Sequence, residues 1–402
     1  MKRKIFLSII MLVILALVAC NQKESASSDN DKEEKSDSNE AIEVVIGYSG
    51  PLSGPAAFYG ENTLNGLTLA ADVINEEGFE VNGQLYNIKV VSLDDQYLPN
   101  EAANNAKRLI QENDAKVIFN PHSGGIYAMQ VFNEEDGFLI GAYTSEPGII
   151  ENGNTLTWRI PPGYDIYLEP FVKHQIDTHG KRIAFLPTAS QYGKDWTEAL
   201  RPVWEEAGGE VVYETEIDFA KDTDVQPIVT NALQNNPDVL FIGGASEPTA
   251  LVVKAARDLG FEGGFMIMDQ AKMDEMVAVL DGNWDLLEGT IGVLPLVNTD
   301  FPGTDAFIKL HNDKLGKDPG SEAGLHYVSL FALVEAMKIA GTVDDAKAIR
   351  DALPEAVQQI PAEHQVYTFE GVTKEGANES LLRIGVVENG EVKAVTLEDL
   401  GL

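Results

Sequence analysis

Residues 44–75 read VVIGYSGPLSGPAAFYGENTLNGLTLAADVIN. The Val/Ile run at 44–48 is predicted as a strand, the Gly/Pro/Ser stretch after it as a tight loop, and residues 63–75 as a helix. That helix sets Leu64, Leu67, Ala71 and Ile74 on one face. The unit then recurs: strand 88–93, helix 101–111, strand 116–120, helix 126–133, strand 138–142. Strands alternating with helices in this way specify a parallel sheet covered on both faces.

The alternation breaks at Trp158-Arg159-Ile160-Pro161-Pro162-Gly163 and a second series begins. Helices at 164–178, 195–207, 225–234 and 248–259 alternate with strands at 182–186, 210–216, 239–242 and 265–268. Beyond an apolar run at 289–294, helical patterns at 304–315 and 323–340 are too few for a third domain and are read as returning to the first. A chain of 402 residues also exceeds the roughly 250–300 at which single cores stop growing. The expected fold is therefore α/β, with two doubly wound parallel-sheet lobes joined by a multi-strand hinge. Lobe 1 would comprise 42–162 plus 293–378, and lobe 2 163–292 plus 379–402. Two such lobes close as rigid bodies on a ligand held where the carboxyl ends of their strands face each other.

The loops at those ends hold the candidate site. In lobe 1 they are the 49–60 loop with Ser53 and Tyr59, Asn120-Pro121-His122-Ser123-Gly124-Gly125, and Gly141-Ala142-Tyr143-Thr144-Ser145-Glu146-Pro147. Hydroxyls beside helix-start amides suit a carboxylate, although Ser123 and Thr144 serve equally as helix caps. Lobe 2 would offer Ser190-Gln191-Tyr192-Gly193, Gly243-Gly244-Ala245-Ser246-Glu247-Pro248 and Asp269-Gln270. Asp269, ending an apolar strand, can pair with a ligand ammonium or cap a helix.

The N-terminal segment reads as an export signal. Lys2, Arg3 and Lys4 precede an apolar run at 5–18, and Leu17-Val18-Ala19-Cys20 has the order of a bacterial lipobox. Residues 1–19 are expected to be removed and Cys20 to carry the acyl chains that tether the protein to the outer face of the membrane. The polar stretch 20–41 reads as a disordered acidic stalk. Cys20 is the single cysteine, so neither an internal disulfide nor another thiol nucleophile is available. A formal net charge of −35 argues against nucleic acid as a partner.

The motifs GYSGPLSGPAAFYGEN, SLDD, QYG, IGG and FMIMDQ resemble those of the branched-chain amino-acid binding proteins of ABC importers, from about residue 43 to the C terminus. The resemblance implies the type I periplasmic-binding fold. It also implies that Ser123, Ala142 and Thr144 hold the ligand carboxylate, that Tyr59 and Tyr192 line the pocket, and that Asp269 takes the ammonium. It further implies permease subunits as partners and no cofactor. Two positions depart from it: Asp269 stands where a Glu is expected, and Ala245 where an aromatic is. Relatives that bind amides, urea or aromatic acids therefore stay within the ligand class.

Enzyme chemistry finds no support. The six His residues form no His-Glu-x-x-His helix, and neither a Gly-x-Ser-x-Gly elbow nor a nucleotide loop ending in Gly-Lys-Ser/Thr is present. A sensor that presents the closed lobes to a signalling receptor is the other alternative, and neighbouring genes would separate it from an importer.

Overall fold

A computed structural model describes residues 41–380 and 382–402, and the segment 1–19, Cys20 and nearly all of the stretch 20–41 lie outside them. The first lobe starts with β1 (Ile42–Gly50), α1 (Ala57–Asn75), β2 (Phe79–Val81), β3 (Gln84–Asp94) and α2 (Pro99–Asn113). It continues through β4 (Val117–Asn120), α3 (Ser123–Gln130), α4 (Asn133–Asp136), β5 (Leu139–Ala142), α5 (Gly148–Glu151) and β6 (Thr157–Arg159). The strands lie in the order β2-β3-β1-β4-β5-β6. All pairs are parallel except β2 with β3.

The second lobe takes α6 (Asp165–Thr178), β7 (Arg182–Pro187), α7 (Gln191–Glu206), β8 (Glu210–Glu214), α8 (Gln226–Leu233) and β9 (Val239–Gly243). Then come α9 (Ser246–Asp258), β10 (Gly264–Ile267), α10 (Met273–Val279) and β11 (Thr290–Val293). The chain next supplies α11 (Thr304–Leu315), α12 (Ser321–Ala340), α13 (Ala346–Ala356) and a small hairpin of β12 (Phe369–Val372) and β13 (Asn378–Ser380). It ends with β14 (Ile384–Glu388) and β15 (Glu391–Val395), which complete a sheet in the order β15-β14-β11-β10-β9-β7-β8. β14 runs antiparallel to both its neighbours.

Each sheet is buried on both faces, because successive residues of its inner strands point to opposite sides. In β4 and β5, Val117, Phe119 and Leu139 enter one core with Leu67, Val328 and Leu333. Ile118 and Ile140 enter another with Leu109 and Ile126. In β9 and β10, Leu240, Ile242, Phe265 and Ile267 face one side, and Val239, Phe241 and Met266 the other. The return segment packs on lobe 1: Phe307 of α11 and Leu330 of α12 share a core with Ile46 of β1. By length and mean hydropathy α12 could cross a membrane, but here it lies packed against α1 and α13. A Cβ on Gly66 would come within 2.1 Å of the Ala323 carbonyl oxygen, so α1 and α12 touch backbone to backbone.

The fold class agrees with the expectation, while several element boundaries differ. α7 starts at Gln191, not at 195, because Ser190 Oγ accepts the Gly193 amide at 3.2 Å and caps the helix there; Tyr192 is thus helical and not in a loop. α3 starts at Ser123, capped by His122. The second lobe's closing hairpin β14-β15 and helix α13 were not anticipated.

Candidate functional site

The carboxyl ends of β1, β4 and β5 in lobe 1 face those of β7, β9 and β10 in lobe 2, and a small cavity lies between them. Tyr59, Ser123 and Thr144 line it from lobe 1, and Tyr192 and Asp269 from lobe 2. Ser53 and Ala245 instead line an adjoining cleft. Ser53 is held there by Asp94, whose Oδ2 accepts its hydroxyl at 2.6 Å. Ala142 is buried at the end of β5, where its carbonyl accepts the Ile160 amide at 2.9 Å.

Lobe 1 builds its wall on a buried network. His122 Nδ1 accepts the Gly125 amide at 3.0 Å, so its proton sits on Nε2, which donates to Asp95 Oδ2 at 3.0 Å. Ser49 Oγ and Asn120 Nδ2 donate to the same Asp95 oxygen at 3.0 and 3.1 Å. His122 is therefore fully engaged in holding the 120–125 loop, and the Tyr97 ring stacks on it at 4.6 Å. On that support Ser123 Oγ and Thr144 Oγ1 meet at 2.7 Å, both buried, where α3 begins. Tyr59 donates to the Pro121 carbonyl at 2.7 Å, which leaves its ring as a wall.

Lobe 2 sets its acid with aromatic donors. Tyr192 and Trp196 stand one turn apart on α7. Trp196 Nε1 donates to the Tyr192 hydroxyl at 2.9 Å and to Asp269 Oδ1 at 3.0 Å, and the Tyr192 hydroxyl also donates to Asp269 Oδ1. Burial, followed by the Asp269 charge, pushes the Tyr192 hydroxyl well above the usual tyrosine range, so it stays a donor. Ser145 Oγ meets the same hydroxyl at 3.0 Å and bridges the lobes.

A second set of interlobe contacts flanks the acid. Lys272, 4 % exposed, donates to the Asp269 carbonyl and pairs with Glu322 of α12, which is 0 % exposed, at 3.2 Å. Burial works to lower the Lys272 pKa, but Glu322, Asp269 and Glu275 outweigh it and hold the ammonium above the usual lysine range. Ser246 Oγ donates to Glu275 Oε2 at 2.6 Å, and Asn62 of α1 donates to Glu275 Oε1 at 2.6 Å. Tyr97 and Gln270 add a contact at 3.1 Å. Sequence reasoning missed Tyr97, Lys272 and Glu322.

Near the cavity, Glu146 has its carboxyl pushed up to about 7 from 4.5, by burial first and by Asp195 of α7, with the Gly148 amide opposing. Between those two values the native state holds a proton that the unfolded chain releases, so this group's contribution to stability falls as pH rises through that window. Glu146→Gln is expected to match wild type below about pH 4.5 and to melt higher than it above about pH 7. Parallel melting curves across pH, with no growing gap between the two proteins, would refute this.

Known proteins resemble the chain over most of its length. An amino acid binding protein of Pseudomonas aeruginosa is 27% identical over 327 residues, covering 79% of this chain and 84% of that one. The structure of a leucine binding protein from Thermotoga maritima superposes with a TM-score of 0.73 at 21% identity, covering 88% and 98% of the two chains. A solute binding protein of an ABC transporter from Rhodopseudomonas palustris, solved with benzoate, gives 0.73 at 19% identity, covering 88% and 95%. These two structures share the fold, and the relatives are solute-binding proteins and not enzymes. Residues 43–380 match the sequence pattern of the periplasmic binding protein family, and the chain belongs to that family.

Proposed function

We propose that this protein captures a small α-amino acid between its lobes and, tethered through acyl chains on Cys20 to the outer face of the membrane, delivers it to the permease of an ABC importer. The observation that carries this reading is the polarity of the cavity. Ser123, at the start of α3, and Thr144, in the loop after β5, offer hydroxyls on one wall, and the Asp269 carboxylate stands on the other. An α-amino acid presents the complementary pair, a carboxylate for the first and an ammonium for the second. Amino-acid binding by the Pseudomonas relative supports the same ligand class, and the lipobox supports the tether. Ala142, Tyr59 and Tyr192 are assigned to the ligand's surroundings, with Ser53 and Ala245 at the cleft mouth.

A second reading, an aromatic acid, is favoured by the rings of Tyr59, Tyr97, Tyr143 and Tyr192 around the cavity and by the benzoate-binding fold relative. A thermal-shift screen of amino acids, amides, urea and aromatic acids separates the two. A ligand at 100 times its dissociation constant adds about 2.7 kcal/mol. Amino acids are expected to raise the melting temperature. A shift confined to acids without an ammonium would replace the first reading with the second.

A further inference from the structure

Beside the ligand cavity lies a second chamber, and the two share Tyr143, Pro161, Asp269 and Lys272. Its far wall is built where the chain passes between lobes. Ser321 opens α12, Tyr367 precedes β12, Ser380 ends β13 and Arg383 precedes β14. Each of these side chains has a buried polar atom without a hydrogen-bond partner: Ser321 Oγ, Tyr367 OH, Ser380 Oγ and Arg383 Nε. Tyr367 and Ser321 are close enough to interact with each other, but outside the geometry of a full hydrogen bond. Buried polar groups are ordinarily paired, so four orphans in one wall mark a place shaped for something that pairs them.

The charge of that wall points to an anion. The Arg383 guanidinium lies 4.9 Å over the Phe301 ring, which is 5.2 Å from the Tyr367 ring, so it is held in place. Among the described residues Arg383 has no carboxylate partner, whereas Lys272 is already neutralised by Glu322. α12 is twenty residues long and starts at Ser321 without a side-chain cap; Glu322 in its first turn is matched by Lys272, so the unpaired positive charge facing the chamber is that of Arg383. Ser321 itself is 1 % exposed.

The cavity also disfavours a purely aliphatic side chain. No Leu, Ile, Val or Met lines it; apolar contact begins in the chamber, with Leu325, Val293 and Tyr167. We propose that the ligand is an amino acid whose side chain crosses from the Asp269 cavity into this chamber and ends in a carboxylate bound by Arg383, Tyr367, Ser321 and Ser380. Apolar methylenes pass the chamber's hydrocarbon walls, and the terminal anion meets the guanidinium in charge-assisted hydrogen bonds. This rests on the proposed amino-acid reading and narrows it.

The test is calorimetric titration of the protein with glutamate, 2-aminoadipate and 2-aminopimelate, set against glutamine, leucine and norleucine. At least one diacid is expected to bind about tenfold or more tighter than every neutral amino acid. Arg383→Gln should erase that preference while leaving the affinity for the neutral set within about threefold. Arg383→Lys, which keeps the charge, should retain part of it, and circular dichroism with a melting curve checks that each variant folds. Leucine binding as tightly as every diacid, or Arg383→Gln weakening both sets equally, would overturn the proposal and leave the amino-acid reading intact. If no α-amino acid binds, both fall together.

Discussion

Asp269→Asn is expected to weaken ligand binding by about 2–5 kcal/mol, the cost of removing one partner of a buried, hydrogen-bonded charge pair. That corresponds to a loss of roughly thirtyfold to several thousandfold in affinity. Asn is the informative replacement because it keeps the shape and an acceptor oxygen. Trp196 Nε1 and the Tyr192 hydroxyl, which both donate to Asp269 Oδ1, can still be satisfied. What is lost is the charge, and the new amide NH₂ faces the ligand as a donor where an acceptor is required. Ser53→Ala is the matched control, since that hydroxyl is exposed and bonded to Asp94 away from the cavity. Calorimetry on both variants decides the matter: equal and small losses would remove Asp269 from the site.

Glu322→Gln is expected to lower affinity by a different route. Lys272 and Glu322 come from opposite lobes and are both buried. Removing one partner of such a pair costs about 3–5 kcal/mol, because the other charge is left buried without its ion-pair partner. Here the molecule has an escape, since opening the lobes returns Lys272 to water. The penalty therefore falls on the closed form alone, and the unfolding temperature without ligand should change little. Ligand affinity should drop by up to several thousandfold, and small-angle scattering should show a larger radius in the absence of ligand. A paired replacement, Lys272→Met with Glu322→Leu, removes both charges and should restore closure, though not necessarily ligand affinity. If Glu322→Gln instead melts several degrees lower with its radius unchanged, the pair supports the fold and not the closure.

How much of this was legible in the sequence follows from which physical signals are local. The strand-loop-helix unit at 44–75 recurs with period-two and helical spacing, so both sheets and the return of α11 and α12 could be read directly. The place of Ser123, Thr144 and Asp269 at the cavity could be read as well, because each comes two or three residues after a short apolar strand and parallel sheets bring such positions to one edge. Lys272 and Glu322 could not. Each is polar beside a helix start, where charged residues are ordinary, and only tertiary closure turns them toward one another. Tyr97 escaped notice for a similar reason, since it enters the cavity from a turn with positive φ, just before a proline-led helix. Arg383 lies in a short connection between strands that periodicity does not reach.

The way the chain divides its strands has a consequence for its biogenesis. Lobe 1 buries α11 and α12, made long after β6, and the second sheet is completed only by β14 and β15 at the end of the chain. A nascent polypeptide that stops before residue 384 leaves the edge of β11 bare, a strand ready to pair with a neighbour. Neither half can therefore finish folding from a contiguous piece, and such long-range closure is slow. A chain still in synthesis thus remains an unfinished, threadable polymer almost to its last residues, the form that the export expected of its N-terminal segment would require.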